Sequence, residues 1–257
     1  MSAAPWSSAP AGGLMRFALL LGATSLLLAA PSAAAPGLTD DWEDADYSTK
    51  ETRALTHAYA RCVVKRQAEK ASEAIVANVP TGVILREYRM LIRPECLVRN
   101  TKRSTQMRFG GDLYRYALAD ALVGRELAEQ PVPDLGAVPR LDHRNPGGPP
   151  QPVDARGRKL GKRKLEAARQ SHARDTAFAF LSRYGECIVR ADTAGAKALL
   201  VAMPDSPEET SRFTALRPAL SRCLPEGQTL RFGKVALRGS VAINYYRLAR
   251  AARLAGR

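Results

Sequence analysis

Two stretches of the chain repeat one another around a cysteine. Tyr59-Ala-Arg-Cys62-Val-Val-Lys65 recurs as Tyr184-Gly-Glu-Cys187-Ile-Val-Arg190, an offset of 125, and Ala71, Ile75, Val76 and Ala77 fall on Ala196, Leu200, Val201 and Ala202 at the same offset. The second cysteines correspond as Cys96-Leu97 and Cys223-Leu224, with the offset now 127. Arg108-Phe109-Gly110 and Arg115 then match Arg231-Phe232-Gly233 and Arg238 at an offset of 123. Small changes of offset between ordered blocks are what loop insertions and deletions produce. The pattern predicts a duplicated unit of roughly 80 residues, a size at which a small core gains from a covalent staple.

Four cysteines allow three connectivities, and the repeat selects one: Cys62 with Cys96 and Cys187 with Cys223, at near-equal separations of 34 and 36 residues. Cross-copy bridges or free thiols are the alternatives. Closing a loop of this size stabilises a unit by roughly 3–4 kcal/mol in the chain-entropy account. Neither pair has the close spacing of a zinc knuckle or a redox motif, so no metal and no cofactor is expected.

Disulfides require an oxidising compartment, and the N-terminus supplies an address. Arg16 precedes an apolar run, Phe17 to Ala30, and the small-residue stretch Pro31-Ser-Ala-Ala-Ala-Pro36 follows it. Fourteen residues are too few to span about 30 Å of hydrocarbon as a helix. Residues 1–34 therefore read as a secretory signal peptide, cleaved after Ala34, with Met15 as an alternative start. An uncleaved anchor is the competing reading. The expected location is the periplasm or the exterior, with no integral span in the mature chain.

The expected class is all-α: two homologous disulfide-stapled helical repeats, residues 51–130 and 175–257. Phe180, Tyr184, Cys187 and Ile188 share one helical stripe, as do Leu55, Tyr59, Cys62, Val63 and Arg66. Asp192 reads as an N-cap, and Ser206-Pro-Glu-Glu209 as a capping box with proline at the first helical position. The start near Thr81 is weaker. Last helices are predicted over 112–129 and 234–254, and Pro94 and Pro218 predict kinks or breaks. Thr229 to Phe232 could form a short extended stretch.

Residues 131–174 join the copies. The first part holds seven prolines and three glycines between 131 and 152, which predicts an extended linker. A basic run follows, with Arg156, Arg158, Lys159, Lys162, Arg163 and Lys164, and helix resumes near Lys162. Residues 35–50 form an acidic tail carrying Asp40, Asp41, Glu43, Asp44 and Asp46. The net charge is +14, and residues 136–174 alone carry +7 of it. The basic run has no interleaved aromatics for stacking bases, and export takes it away from chromatin, which argues against nucleic acid as the partner. Anionic envelope components are the polyanions left for it, with the acidic tail as an internal competitor.

No catalytic residue is expected. The chain has no nucleophile elbow, no zincin helix and no phosphate loop, and its histidines, His57, His143 and His172, do not correspond between copies. A Cys62–His57 nucleophilic pair would lose its thiol to the bridge. What the copies share beyond core and cysteines is Arg108 with Arg115, and Arg231 with Arg238, each pair seven residues apart near a helix start. On one reading these arginines pair with carboxylates and carbonyls of the chain itself. On the other they hold a phosphate or carboxylate ligand.

The Y-x-x-C-[VI]-V-[KR] motif, the second cysteine and the basic-aromatic block before an Ala-rich helix resemble exported two-repeat, four-cysteine proteins of sphingomonad-type alphaproteobacteria. The resemblance implies an envelope location and no known activity, and carries over no functional residue. The expected function is a non-enzymatic interaction or binding module whose partner is an anionic envelope component or another envelope protein. The alternatives are a small-anion carrier or enzyme near the Arg-Phe-Gly blocks, and, more weakly, extracellular nucleic-acid or polyanion binding through the basic run.

Overall fold

The computed structural model describes residues 50–100, 112–225 and 233–256. Residues 1–34, read as a signal peptide, and the acidic tail up to 49 lie outside the described residues, as do Arg108, Phe109, Arg231, Phe232 and the stretch from Thr229. The described residues are helical apart from connecting segments and one isolated bridge, Val153 to Lys159.

The helices are α1 (Lys50–Val76), α2 (Thr81–Glu87), α3 (Pro94–Asn100), α4 (Leu113–Glu126), α5 (Lys162–Ala191), α6 (Thr193–Val201), α7 (Pro207–Ala215), α8 (Arg217–Cys223) and α9 (Lys234–Ala255), with a 3-10 turn at Arg89–Leu91. Their ends follow local chemistry. Ser206 accepts from the Glu209 amide at the start of α7, and Asp192 accepts from the Gly195 amide at the start of α6. Glu209 reaches one residue further back than a capping box requires, to the amide of Asp205. No side chain caps α2, in keeping with the weak signal at Thr81. Asn78 takes a positive φ of 55°, and the Asn78 and Val79 amides return to Ile75 and Ala74, closing α1 in a Schellman turn. Both prolines start helices: Pro94 is the first residue of α3, and Pro218 sits in the first turn of α8, after a break at Leu216.

Each half has its own bridge. Cys62 of α1 joins Cys96 of α3, and Cys187 of α5 joins Cys223 of α8. The conserved-spacing tyrosines sit beside them: Tyr59 Oη accepts from the Arg93 amide at 3.0 Å, and Tyr184 Oη donates to the Leu220 carbonyl at 3.0 Å.

The halves are not beads on a linker, since the described residues belong to one compact unit. α4 packs on α1, α9 packs on α5, and α4 and α9 pack on each other. Residues 113–123 of α4 and 238–249 of α9 are buried without interruption, so these two helices are enclosed on every side rather than amphipathic. Close approach depends on small residues. A Cβ at Gly239 of α9 would lie 2.2 Å from Cγ of Tyr116, and one at Gly185 of α5 would lie 2.2 Å from Oγ of Ser240.

Candidate functional site

Enclosing α4 and α9 also encloses their arginines. Arg115 and Arg238, equivalent in the sequence register, are both buried, and their surroundings differ completely. Arg238 is saturated by the chain itself. Its Nε donates to Asp120 at 3.0 Å and its Nη1 to Glu209 at 3.0 Å, while Nη1 and Nη2 also reach the carbonyls of Leu199, Leu200 and Ala202 at 2.9–3.0 Å. This guanidinium collects the C-terminal carbonyls of α6, which have no partner within their helix. It therefore has no donor left for a ligand, and of the two readings of this arginine its contacts are those of the one that pairs it with carboxylates and carbonyls of the chain.

The same cluster borders a cavity of about 340 Å3. Leu113, Tyr116 and Ala117 of α4 and Val235 of α9 form its apolar side, with Arg53, His57, Asp120, Asp205, Glu209, Lys234 and Arg238 as its polar side. Arg53 makes a two-pronged pair with Asp205 at 2.8 and 2.9 Å. His57 Nε2 meets the Asp120 oxygen that Arg238 leaves, and His57 Nδ1 is buried without a partner. Burial opposes ionisation of Asp120, but the Arg238 charge and the His57 contact outweigh it and hold the carboxyl below its ordinary range. Cys62 is committed to its disulfide, so no thiol serves His57.

Arg115 sits in the opposite situation. Its Nη2 is 3.5 Å from Asp112, too long for a hydrogen bond, and its Nε and Nη1 are buried with no partner. It lines a second cavity of about 80 Å3 together with Asn78, Asp112, Arg144, Asn145, Asp175 and Ser182. Arg247 of α9 is buried as well; Nη2 donates to the Asp142 carbonyl at 3.0 Å, and Nε and Nη1 lack partners.

Residues 135–143 of the Pro/Gly-rich segment, expected to be an extended linker, make a turn at 135–138 and then run without helix or strand, and they are strapped down rather than free. Leu135 and Val138 are buried, and Arg190 donates to the carbonyls of Leu135, Val138 and Pro139. Glu186 accepts from the Leu141 amide at 3.1 Å, contacts His143 Nε2 at 2.6 Å and pairs with Arg190 at 2.7 Å. Burial raises the Glu186 pKa, and these donors more than reverse it, so the net shift is downward. Proline removes donors but leaves carbonyls, and Arg190 supplies what those carbonyls accept. The basic residues beyond the strap are exposed. Arg156, Arg158 and Lys159 lie on a turn where Arg158 pairs with Asp154, and Lys162, Arg163 and Lys164 occupy the first turn of α5. The structure does not bring this run to either cavity.

Sequence reasoning identified Arg115 and Arg238 but missed Arg247, the His57–Asp120 contact and the Glu186 clamp. Arg190 carried a signal, since it closes the repeated motif. The others occur once and have no counterpart to mark them. Among the described residues no group of acidic, histidine and cysteine side chains is placed to hold a metal ion, and no helix is long and apolar enough to cross a membrane. Compared with family models, curated proteins and solved structures, the chain matches none.

Proposed function

We propose that this chain is an exported, disulfide-stapled helical binding module of the periplasm or cell envelope, and that its ligand occupies the cavity of about 340 Å3 bordered by α1, α4, α7 and α9. The observation that carries this reading is the division of labour around that cavity. Its apolar wall is left open to a ligand, whereas Asp120, Glu209 and Arg238 are engaged with one another. Charges spent on internal pairing orient and stiffen a wall; they do not move protons to and from a substrate. Exposed Lys234 at the rim adds a positive charge, favouring an apolar molecule with an anionic end. Export is supported by the two disulfides and by the apolar run before Pro31.

Fluorescence titration with anilinonaphthalene sulfonate, an apolar anion, tests the cavity. Saturable one-to-one binding is expected to the disulfide-intact protein. It should vanish in Val235→Trp, which fills the cavity without touching its ion pairs, at unchanged melting temperature. No saturable binding, or equal binding by Val235→Trp, overturns the reading.

A second reading rests on the exposed cations at 156–164. They would add a weak attraction to anionic envelope surfaces, measurable as vesicle binding that fades with salt and with deletion of 155–161.

A further inference from the structure

We infer that the cavity of about 80 Å3 beneath residues 144–146 is a binding site for one small oxyanion, such as inorganic phosphate or a carboxylate group, with Arg115 as its principal ligand. The argument begins with donors that have nowhere to go. Arg115 is 4% exposed, it lines the cavity, and two of its three nitrogens have no partner. Buried guanidinium nitrogens are normally satisfied, because a charge withdrawn from water loses its hydration and must recover it from acceptors. Arg238, at the equivalent point of the other central helix, shows what satisfaction looks like in this protein: two carboxylates and three carbonyls.

Arg247 doubles the demand. It is also buried, with Nε and Nη1 unpartnered, and burial together with the Arg115 charge lowers its pKa from the ordinary arginine value. Two guanidiniums that feel one another inside a helical core are stabilised by an anion shared between them or beside them. Asp112 fills that role only in part, as a loose ion-pair partner of Arg115 Nη2. It stays 3.5 Å from Arg115, and its Oδ1 is directed at the amide and hydroxyl of Thr81. Asp175 is the other carboxylate on the wall, which also carries Arg115 and Arg144; Arg247 lies off the wall, where it feels Arg115 and, in the opposite sense, Glu186 and Asp142. The volume admits a single phosphate- or carboxylate-sized group and no nucleotide or sugar. Exposed Arg144 and Asn145 form the mouth, so the anion enters past the strap and then meets the buried donors. Nε and Nη1 donate from different edges of the planar guanidinium, so each can meet a single oxygen, and one anion engages one of those edges rather than both nitrogens at once.

This site is separate from the larger cavity, and its test separates the two. Melting temperature and calorimetric titration are measured on the disulfide-intact chain in phosphate- and sulfate-free buffer, with added phosphate, sulfate or acetate against chloride at matched ionic strength. One-to-one binding of at least one oxyanion is expected, with a rise in melting temperature that chloride does not give. Arg115→Met should weaken that binding at least about tenfold, the effect of losing a charged hydrogen bond. Because it also leaves buried Asp112 without its ion-pair partner, it should lower the melting temperature in anion-free buffer, so the readout is the loss of the anion-dependent rise rather than the absolute midpoint. Arg247→Met should act in the same direction, and Val235→Trp should leave oxyanion binding unchanged. Absence of oxyanion-specific stabilisation, or full binding by a folded Arg115→Met, overturns the assignment. A glycerol phosphate arm distinguishes a free ion from a phosphate ester: a ligand that enters as a monoester binds both, and a site closed around the ion binds inorganic phosphate only.

Discussion

Arg238 and Asp120 join the two halves of the chain through a buried ion pair spanning 118 residues, with Nε and Nη2 at 3.0 and 2.9 Å from the same carboxylate oxygen. The other Asp120 oxygen faces His57 of α1, and Arg238 also reaches Glu209 of α7. Removing the arginine strands two buried carboxylates and three carbonyls at once. Arg238→Met should therefore cost about 3–5 kcal/mol in urea unfolding. Asp120→Asn should cost less, since Glu209 and the carbonyls remain. A loss below about 1 kcal/mol for Arg238→Met would mean that the cluster relaxes around an apolar side chain.

Acid should release two of these anchors together. Asp120 and Glu186 both have folded pKa values below their ordinary ones, 3.8 and 4.5, so the unfolded chain binds their protons more tightly. Their contribution to stability is fully present above those ordinary values and is lost as pH falls through the depressed folded ones. The urea midpoint should hold from neutrality to about pH 5 and then fall. Asp120→Asn and Glu186→Gln should each start lower and fall less steeply over the same window. A parallel decline in the variants would assign the acid sensitivity to other carboxylates.

The helices that this network joins were legible in the sequence because they depend on local signals: a stripe at 3.6-residue spacing, a Ser-Pro-Glu-Glu start, a proline that cannot continue a helix. The bridges were legible because near-equal spacings of 34 and 36 residues matched the repeated blocks. What could not be read was which side chains face inward on α4 and α9. With both helices enclosed all round, no polar face marks the solvent side, and Arg115, Arg238 and Arg247 resemble surface arginines in sequence. The strap was hidden for a related reason. Its proline content signals extension, but its partners Glu186 and Arg190 lie on another helix.

That strap gives a further test. Arg140 is exposed and is followed by Leu141, whose amide is held by Glu186. Trypsin needs several residues around Arg140 to leave the body, so cleavage reports local opening. Glu186→Gln weakens the contacts to Leu141, His143 and Arg190, and should speed cleavage after Arg140 by about tenfold or more, given the worth of charged hydrogen bonds. Unchanged cleavage would show that Leu135 and Val138 hold the strap by burial alone.

The two disulfides should differ in reactivity through access. Cys96 is fully buried and its partner Cys62 half-buried, whereas Cys187 is exposed and Cys223 half-buried. Limiting reductant followed by alkylation and peptide mass mapping should label Cys187 and Cys223 first. Complete reduction should add two hydrogens per disulfide to the intact mass, and each bridge lost should lower stability by about 3–4 kcal/mol. Simultaneous labelling of all four cysteines would indicate that opening one half opens the other.

The crossing of α4 and α9 is the contact on which the shared core turns. In the register that aligns Arg115 with Arg238, Tyr116 aligns with Gly239, and these two positions meet in space. Where two such helices cross at equivalent points, two large side chains cannot both fit, and here one position has the ring while the other has only a hydrogen. The atoms nearest the missing Cβ are Tyr116 Cγ and Cβ at 2.2 and 2.4 Å, the inner part of the side chain rather than its flexible end. Gly239→Ala must therefore push the helices apart, at a cost of about 1–3 kcal/mol despite the higher helix propensity of alanine. If that contact is the cause, Tyr116→Ala should relieve most of it, and a double-mutant cycle should show coupling of similar size. Additivity within about 0.5 kcal/mol would place the penalty elsewhere on α9.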